Sequence, residues 1–284
     1  MSDLVISFSG GETSAYMAQW LKTNKAQEYD RVFCVFANTG QENEETLEFV
    51  DLCDHFFNLG VYWIEADVQH GERKGSQFKS VTYDTASRHG EPFEEVIKKY
   101  GIPNAAFPHC TRELKLNPIK SWLDFMGITD YHMAIGIRAD EIDRMQADAK
   151  GKRLIYPLVK LHITKPKVNE FWASMPFRLE LKGYQGNCKW CWKKSLRKHL
   201  TLMNESPEIY DFPERMEELY ADSGAGDGNR VFFRKKVSTK ELREMAKQPF
   251  TPAEDDARIY PEPDLFDYDL DVAGGCSESC EVEW

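Results

Sequence analysis

Residues 5–16 read VISFSGGETSAY: an apolar run, then Ser-Gly-Gly, then a stretch with helix-forming spacing. Two adjacent glycines remove side chains where a strand hands over to a helix, so the backbone can approach a ligand closely. In an open parallel sheet, ligands sit beyond the carboxyl ends of the strands, where the strand order reverses. The turn at 9–14 would lie on that edge. Its backbone N–H groups, with the first turn of the following helix, favour an anion. Ser9, Thr13 and Ser14 add hydroxyls without charge, and Ser7 stands just before them. A phosphate chain is the expected guest. Gly11 is expected at positive φ, so that Gly11→Val would strain the turn and fill the space the phosphates need.

Outward from this turn, LVISFS (4–9), RVFCVFAN (31–38), VYWIEAD (61–67) and YHMAIGIR (131–138) read as buried strands. Helical spacing covers 13–23, 43–56 and 119–127. Strands alternating with helices imply right-handed crossovers and a mostly parallel sheet, covered on both sides. Near-continuous apolar strands fit the same fold class, a doubly wound α/β domain. Residues 69–108 are polar with one helix at 92–100, and read as an insertion over one sheet edge. Beyond Tyr156 the pattern turns helical, at 167–175, 191–204, 207–222 and 238–247. The last opens with STKE, where Ser238 and Glu241 can form a capping box. The expected organisation is a nucleotide-binding α/β domain over 1–160, a helical portion over 161–250 and an acidic flexible tail over 251–284.

The chain has 284 residues, ample for a core. It holds no apolar run long enough for a membrane span and opens without a secretory pattern, so a cytoplasmic protein is expected. The tail carries eleven acidic residues against one arginine, and so accounts for ten of the eleven net negative charges. Opposed to it is a basic island, Lys182, Lys189, Lys193, Lys194, Arg197 and Lys198, with no acid from Lys182 to Asn204. The island reads either as a solvated helix face or as a surface that meets phosphates. Seven cysteines are present. Cys34 in a strand and Cys53 in a helix read as core. Cys188-Lys-Trp-Cys191 reads as a redox dithiol, half a zinc site or part of an iron–sulfur cluster.

Ser9-Gly10-Gly11-Glu12-Thr13-Ser14 resembles the pyrophosphate loop of the adenine-nucleotide enzymes that include ATP pyrophosphatases and phosphoadenylyl-sulfate reductases. That loop usually reads Ser-Gly-Gly-x-Asp-Ser, so Thr13 departs from it. FANTGQENEETLEFV (36–50), CTRELKLNP (110–118), GIRADE (136–141) and GNCKWCWKKS (186–195) resemble further segments of that superfamily. The resemblance runs from residue 4 to about 200. It implies an adenine nucleotide alpha hydrolase-like fold and a nucleotide, ATP or a sulfonucleotide, held by Ser7, Ser9 to Ser14, Asn38, Thr39, Gly40, Gly136 and Arg138. ATP would bring a Mg ion. Lys115 and Arg138 would act on the phosphates, as a point charge and a planar fork.

In the resembled superfamily a cysteine at the position of Cys110 joins a later C-x-x-C to hold a [4Fe–4S] cluster. Cys110, Cys188 and Cys191 are therefore the implied metal ligands. A three-cysteine set is similar to the iron–sulfur thiolation members. Three thiolates leave one iron without a protein ligand, where sulfide or a substrate could bind. The zinc alternative adds His109 or His199 as a structural fourth ligand.

The implied function is sulfur transfer: ATP adenylates an acceptor, a thiol or donor protein supplies sulfur, and AMP leaves. The acceptor could be nucleic acid, landing on the island at 182–198. A first rival is a reductase that releases sulfite from a sulfonucleotide through a nucleophilic cysteine near the C-terminus. Cys276 would fill that role, although the reductases' Glu-Cys-Gly-x-His is absent and acidic neighbours would raise the thiol pKa. A second rival is a non-catalytic nucleotide-binding protein. An oligomer is compatible with each. Deleting 251–284 should leave nucleotide affinity unchanged on this reading, which calorimetric titration with ATP would check; a collapse of binding would make the tail part of the site.

Overall fold

The computed structural model describes residues 2–71, 74–186, 188–224 and 229–258. Its centre is a six-stranded sheet: β1 (Asp3–Ser7), β2 (Val32–Asn38), β3 (Val61–Asp67), β4 (Gln77–Ser80), β5 (Tyr131–Ala134) and β6 (Leu154–Ile155). The strand order is β4-β3-β2-β1-β5-β6. All neighbours pair parallel except the edge strand β4, which runs antiparallel to β3. The chain leaves β1 towards β2 on one side and reaches β5 on the other, so the order reverses beside β1. This is an α/β protein with a mostly parallel sheet.

Period-two alternation divides the buried strand residues between two cores. Leu4, Ile6, Cys34 and Phe36 face α1 (Glu12–Asn24), α2 (Glu44–Phe57) and, through Trp172, α7 (Lys165–Ala173). Val5, Phe33 and Val35 face the opposite way, onto Ile119, Trp122 and Leu123 of α5 (Asn117–Phe125). Strands buried on both faces need apolar residues at nearly every position, which is why they read as continuous apolar runs.

The helix α5 is led in by α4 (His109–Thr111) and a π-helical turn over Arg112–Leu116. A third core joins α3 (Glu91–Tyr100), α8 (Leu196–Glu205), α9 (Asp211–Tyr220) and α10 (Thr239–Ala246). The short α6 (Pro157–Lys160) follows β6. Ser238 and Glu241 do close the expected capping box on α10. Among the described residues no helix is long and apolar enough to cross a membrane.

Three expectations change. The strand expected over 131–138 stops at Ala134: Ile135 N still donates to Ile155 O at 3.0 Å, but Ile137 N turns back onto Ile135 O at 3.0 Å and the ladder ends there. The helix expected from 191 begins at Leu196, where the Ser195 hydroxyl accepts from Lys198 N at 3.4 Å. The polar stretch at 69–108 supplies β4 as well as α3.

Within the third core, His199 is fully enclosed between Tyr210 and Phe233. Tyr210 Oη donates to the His199 carbonyl at 3.2 Å and lies 2.9 Å from Nδ1. Burial first, then the nearby Lys194 and Arg234, pushes the imidazole down to about 3. It is neutral when folded. An unfolded histidine titrates near ~6.5, so between these values the unfolded chain binds more protons, and stability falls as pH drops. From pH 7 to 5 this group alone should cost about 2 kcal/mol. Urea unfolding of wild type and His199→Gln across that range would check it, with the variant losing that part of the slope. Equal slopes would sink the assignment.

Candidate functional site

After Ser7 ends β1, the chain turns through Ser9, Gly10 and Gly11 into α1. Gly10 sits at φ +86°, and a Cβ there would lie 2.6 Å from Thr46 Cγ2 and 3.2 Å from Phe36. Gly11 caps the helix in extended backbone at φ −96°. The positive φ expected at Gly11 therefore belongs to Gly10. The Ser14 hydroxyl ties the turn together. It accepts from Ser9 N at 3.2 Å and from Ser9 Oγ at 3.0 Å, and donates to Gly11 O at 2.9 Å.

Arg138 anchors the first turn of α1 to the end of β5. It is 4% exposed, and its Nη1 donates to Thr13 Oγ1 at 3.1 Å. Asp140 at 3.2 Å and Glu141 at 3.5 Å balance its charge. Gly136 allows the approach, since a Cβ there would stand 3.1 Å from Ser14 Cα. The Glu12 carboxylate accepts two bonds from Arg178, both at 2.9 Å, and one from Leu179 N at 3.3 Å. Trp172 Nε1 donates to the Glu12 carbonyl at 2.9 Å. The result is a small cleft over the glycine turn, with Thr46, Arg178, Lys182 and Gly186 in its wall.

A second, narrow pocket brings Cys110, Cys188 and Cys191 together with Thr39 and Lys115. Cys188 and Cys191 are buried, Cys110 is half-buried, and none is in a disulfide. The pocket rests on the loop between β2 and α2. Thr39 Oγ1 lies 3.6 Å from Cys188 Sγ, and Lys189 N donates to Gln41 O at 2.8 Å. Lys194 is buried and donates to Gln185 O at 3.0 Å and Gly186 O at 2.6 Å, folding the cysteine segment onto itself. On the π-helical turn, burial raises the Glu113 carboxyl, but Arg112 and Ser76 outweigh it and hold it below its usual range.

The donor set suits an iron–sulfur cluster in kind: three cysteine thiols around one pocket. As they stand, no three His, Cys, Asp or Glu side chains among the described residues are gathered tightly enough to hold a metal ion. Of the histidines of the zinc alternative, His199 is enclosed by Tyr210 and Phe233, and His109 lines a different groove from the cysteine pocket.

The remaining sequence candidates are placed as follows. Asn38 gives its amide to Glu65 Oε1 at 2.6 Å and Ser87 O at 2.9 Å, and accepts from Gly40 N at 3.1 Å. Asn38 and Gly40 therefore shape the β2–α2 loop, and neither lines the cavity at the glycine turn. Lys115 lines the cysteine pocket instead of that cavity. In the basic island, Lys182 pairs with Glu205 at 3.0 Å and Lys194 is buried, so the island is not one continuous landing surface. Residues 251–258, expected as part of a flexible tail, are docked. Asp255 accepts from Gly183 N at 2.9 Å, Ala253 N donates to Thr201 at 2.8 Å, and Ala257 and Arg258 line the cavity at the glycine turn. Cys276 lies outside the described residues, as does the rest of the tail beyond 258.

No family model matches the chain. Over 288 residues it is 31% identical to the uncharacterized nin region protein ORF290 of Escherichia phage lambda, which covers 98% of this chain and 94% of that protein. The chain belongs to the ORF290 family. It is also similar, at 28% identity over 239 residues, to the uncharacterized protein MJ0066 of Methanocaldococcus jannaschii. That match covers 79% of this chain and 44% of the archaeal protein, so the chain spans less than half the length of this relative.

Sequence reasoning on this ORF290-family chain missed Thr46 and Arg178. Thr46 follows the Asn43 cap of α2, and its buried hydroxyl has no hydrogen-bond partner among the described residues. A threonine at the start of a helix beside the second strand was the available signal. Arg178 carried none, since its partner Glu12 is far away in sequence. For the turn itself, Gly10→Ala should cost about 2–4 kcal/mol through its positive φ and the clash with Thr46. Gly11→Ala, in extended backbone, should cost far less. Urea midpoints would decide; a Gly10→Ala variant as stable as wild type would remove the constraint.

Proposed function

We propose that the chain is an adenine-nucleotide-dependent sulfur-transfer enzyme with an adenine nucleotide alpha hydrolase-like fold. One observation carries the reading. The glycine turn and the three-cysteine pocket flank the same β2–α2 connection: Thr39 in its loop reaches Cys188, and Thr46 in the first turn of α2 lies against Gly10. A nucleotide site and a thiol site on one connection suit a reaction that joins phosphate to sulfur chemistry.

ATP, with a Mg ion on its phosphates, would rest on the amides of the first turn of α1, which have no partners within the helix. The Ser9 hydroxyl lies at the same turn. An acceptor oxygen attacks the α-phosphorus and pyrophosphate leaves, so negative charge builds on the transferring group. The loop amides stabilise that charge. Arg138 acts by fixing Thr13 and the helix end. A sulfur nucleophile from a thiol or a donor protein then displaces AMP from the adenylated acceptor. Cys110, Cys188 and Cys191 would hold a [4Fe–4S] cluster, which when bound supplies an iron open to a sulfur ligand. Lys115 sits among those cysteines, where its charge offsets that of thiolates. Nucleic acid is the proposed acceptor, and cytoplasm the proposed compartment.

Protein purified without oxygen should carry about four irons per chain with matching sulfide, and Cys188→Ala should lose most of both. Incubated with ATP, it should release pyrophosphate. Equimolar zinc without iron would make the cysteines a structural clip and end the sulfur-transfer reading. Sulfite from a sulfonucleotide, without pyrophosphate from ATP, would make the chain a reductase. Nucleotide binding with neither activity would leave a binding protein.

A further inference from the structure

Outside both pockets runs an open groove between the end of α3, the segment leading into α4 and the residues around Arg230. Its wall includes Tyr100, Phe107, Thr111, Arg112, Lys193 and Arg230, and among the described residues that line it none is acidic, although Arg112 also pairs with Glu113 at 2.8 Å behind the wall. On a chain with net charge −11, an acid-free basic groove is a local reversal of sign. Phe107 is 41% exposed, and the Arg230 guanidinium lies 3.8 Å from its ring centroid. Arg230 is itself held by the Tyr100 carbonyl at 2.9 Å. A ring backed on one face by a fixed guanidinium presents the other face as a rigid stacking platform. Thr111 and Lys193 line both this groove and the cysteine pocket, so the two spaces adjoin.

We propose that this groove binds a single-stranded nucleic acid, stacking a base on Phe107 and meeting its phosphates with Arg112, Lys193 and Arg230. Cations that track a backbone beside an aromatic platform are the chemistry of sequence-tolerant single-strand binding. A duplex keeps its bases stacked on each other and offers none to Phe107. An acidic peptide would use the cations but gain little from the ring. The groove therefore replaces the 182–198 island as the landing site, and only Lys193 is common to both. As the acceptor site for sulfur it rests on the sulfur-transfer reading; its binding of single strands does not.

The test is fluorescence anisotropy of the full chain with a labelled oligothymidylate of about a dozen nucleotides, at two salt concentrations, with pyrophosphate release assayed in parallel. Phe107→Ala should weaken binding by roughly tenfold or more, and Phe107→Trp should restore it. Arg112→Ala should weaken binding and reduce the salt slope by about 1. Lys240→Ala, on α10 and outside the groove, should change neither. Duplex of the same length should bind more weakly and ignore Phe107→Ala. No binding of the single strand at low salt, or equal binding by wild type and Phe107→Ala, overturns the groove. Polyglutamate that displaces the strand equally from wild type and Phe107→Ala also overturns it, in favour of an acidic peptide. Loss of pyrophosphate release with these results intact would sink the sulfur-transfer reading and leave the groove standing.

Discussion

The carboxyl edge of this sheet depends on how closely its loops approach one another. Helix α2 presses Thr46 against the space where a Gly10 side chain would stand, and the turn after β5 brings Gly136 against Ser14. Neither contact survives the addition of a Cβ without movement. Because the loops touch backbone to side chain, the first turn of α1, the β2–α2 loop and the end of β5 form one rigid rim. The hydrogen bonds of Ser14 and the Arg138–Thr13 contact then fix the orientation of groups already in place. The glycines come first and the polar bonds follow.

Charge at this rim is already committed. Arg178 holds Glu12, Lys182 holds Glu205, and Arg258 holds Glu180 at 2.5 Å. Each of these cations lines the cavity over the glycine turn. An incoming anion would either exchange with those carboxylates or rely on backbone amides and hydroxyls. The first route would leave a carboxylate to be solvated or paired elsewhere, and for Glu12, which is largely buried, that is costly. The amide route carries no such cost, and it is the one that a helix N-terminus offers.

Much of the fold was legible because burial on both sheet faces writes itself as unbroken apolar runs. β1, β2 and β3 fall almost where the runs lie. β4 and β6 did not show, since four and two residues at the sheet edges carry too little pattern to separate from loop. The glycine turn was legible as chemistry but not in detail: which of Gly10 and Gly11 takes positive φ depends on where α2 packs. The pairing of Glu12 with Arg178, and the burial of Lys194 under its own loop, join residues by tertiary contact alone. The acid-free run from Lys182 therefore looked like one surface and is not. Conversely, the gathering of Cys110 with Cys188 and Cys191 in one pocket follows the pattern quoted for them.

The π-helical turn over Arg112–Leu116 inserts one extra residue between α4 and α5. An α-helix advances about 100° per residue, so that single insertion sets the rotational phase of everything before it. Asn117–Phe125 is locked to the sheet through Ile119, Trp122 and Leu123, so the phase shift is expressed on the other side, at Cys110. Shortening this turn by one residue would regularise the hydrogen bonding of the helix. It would also swing Cys110 about a quarter-turn around the axis, away from Cys188 and Cys191. The irregular helix is the less comfortable backbone, and it is the one that lets three distant cysteines share a pocket.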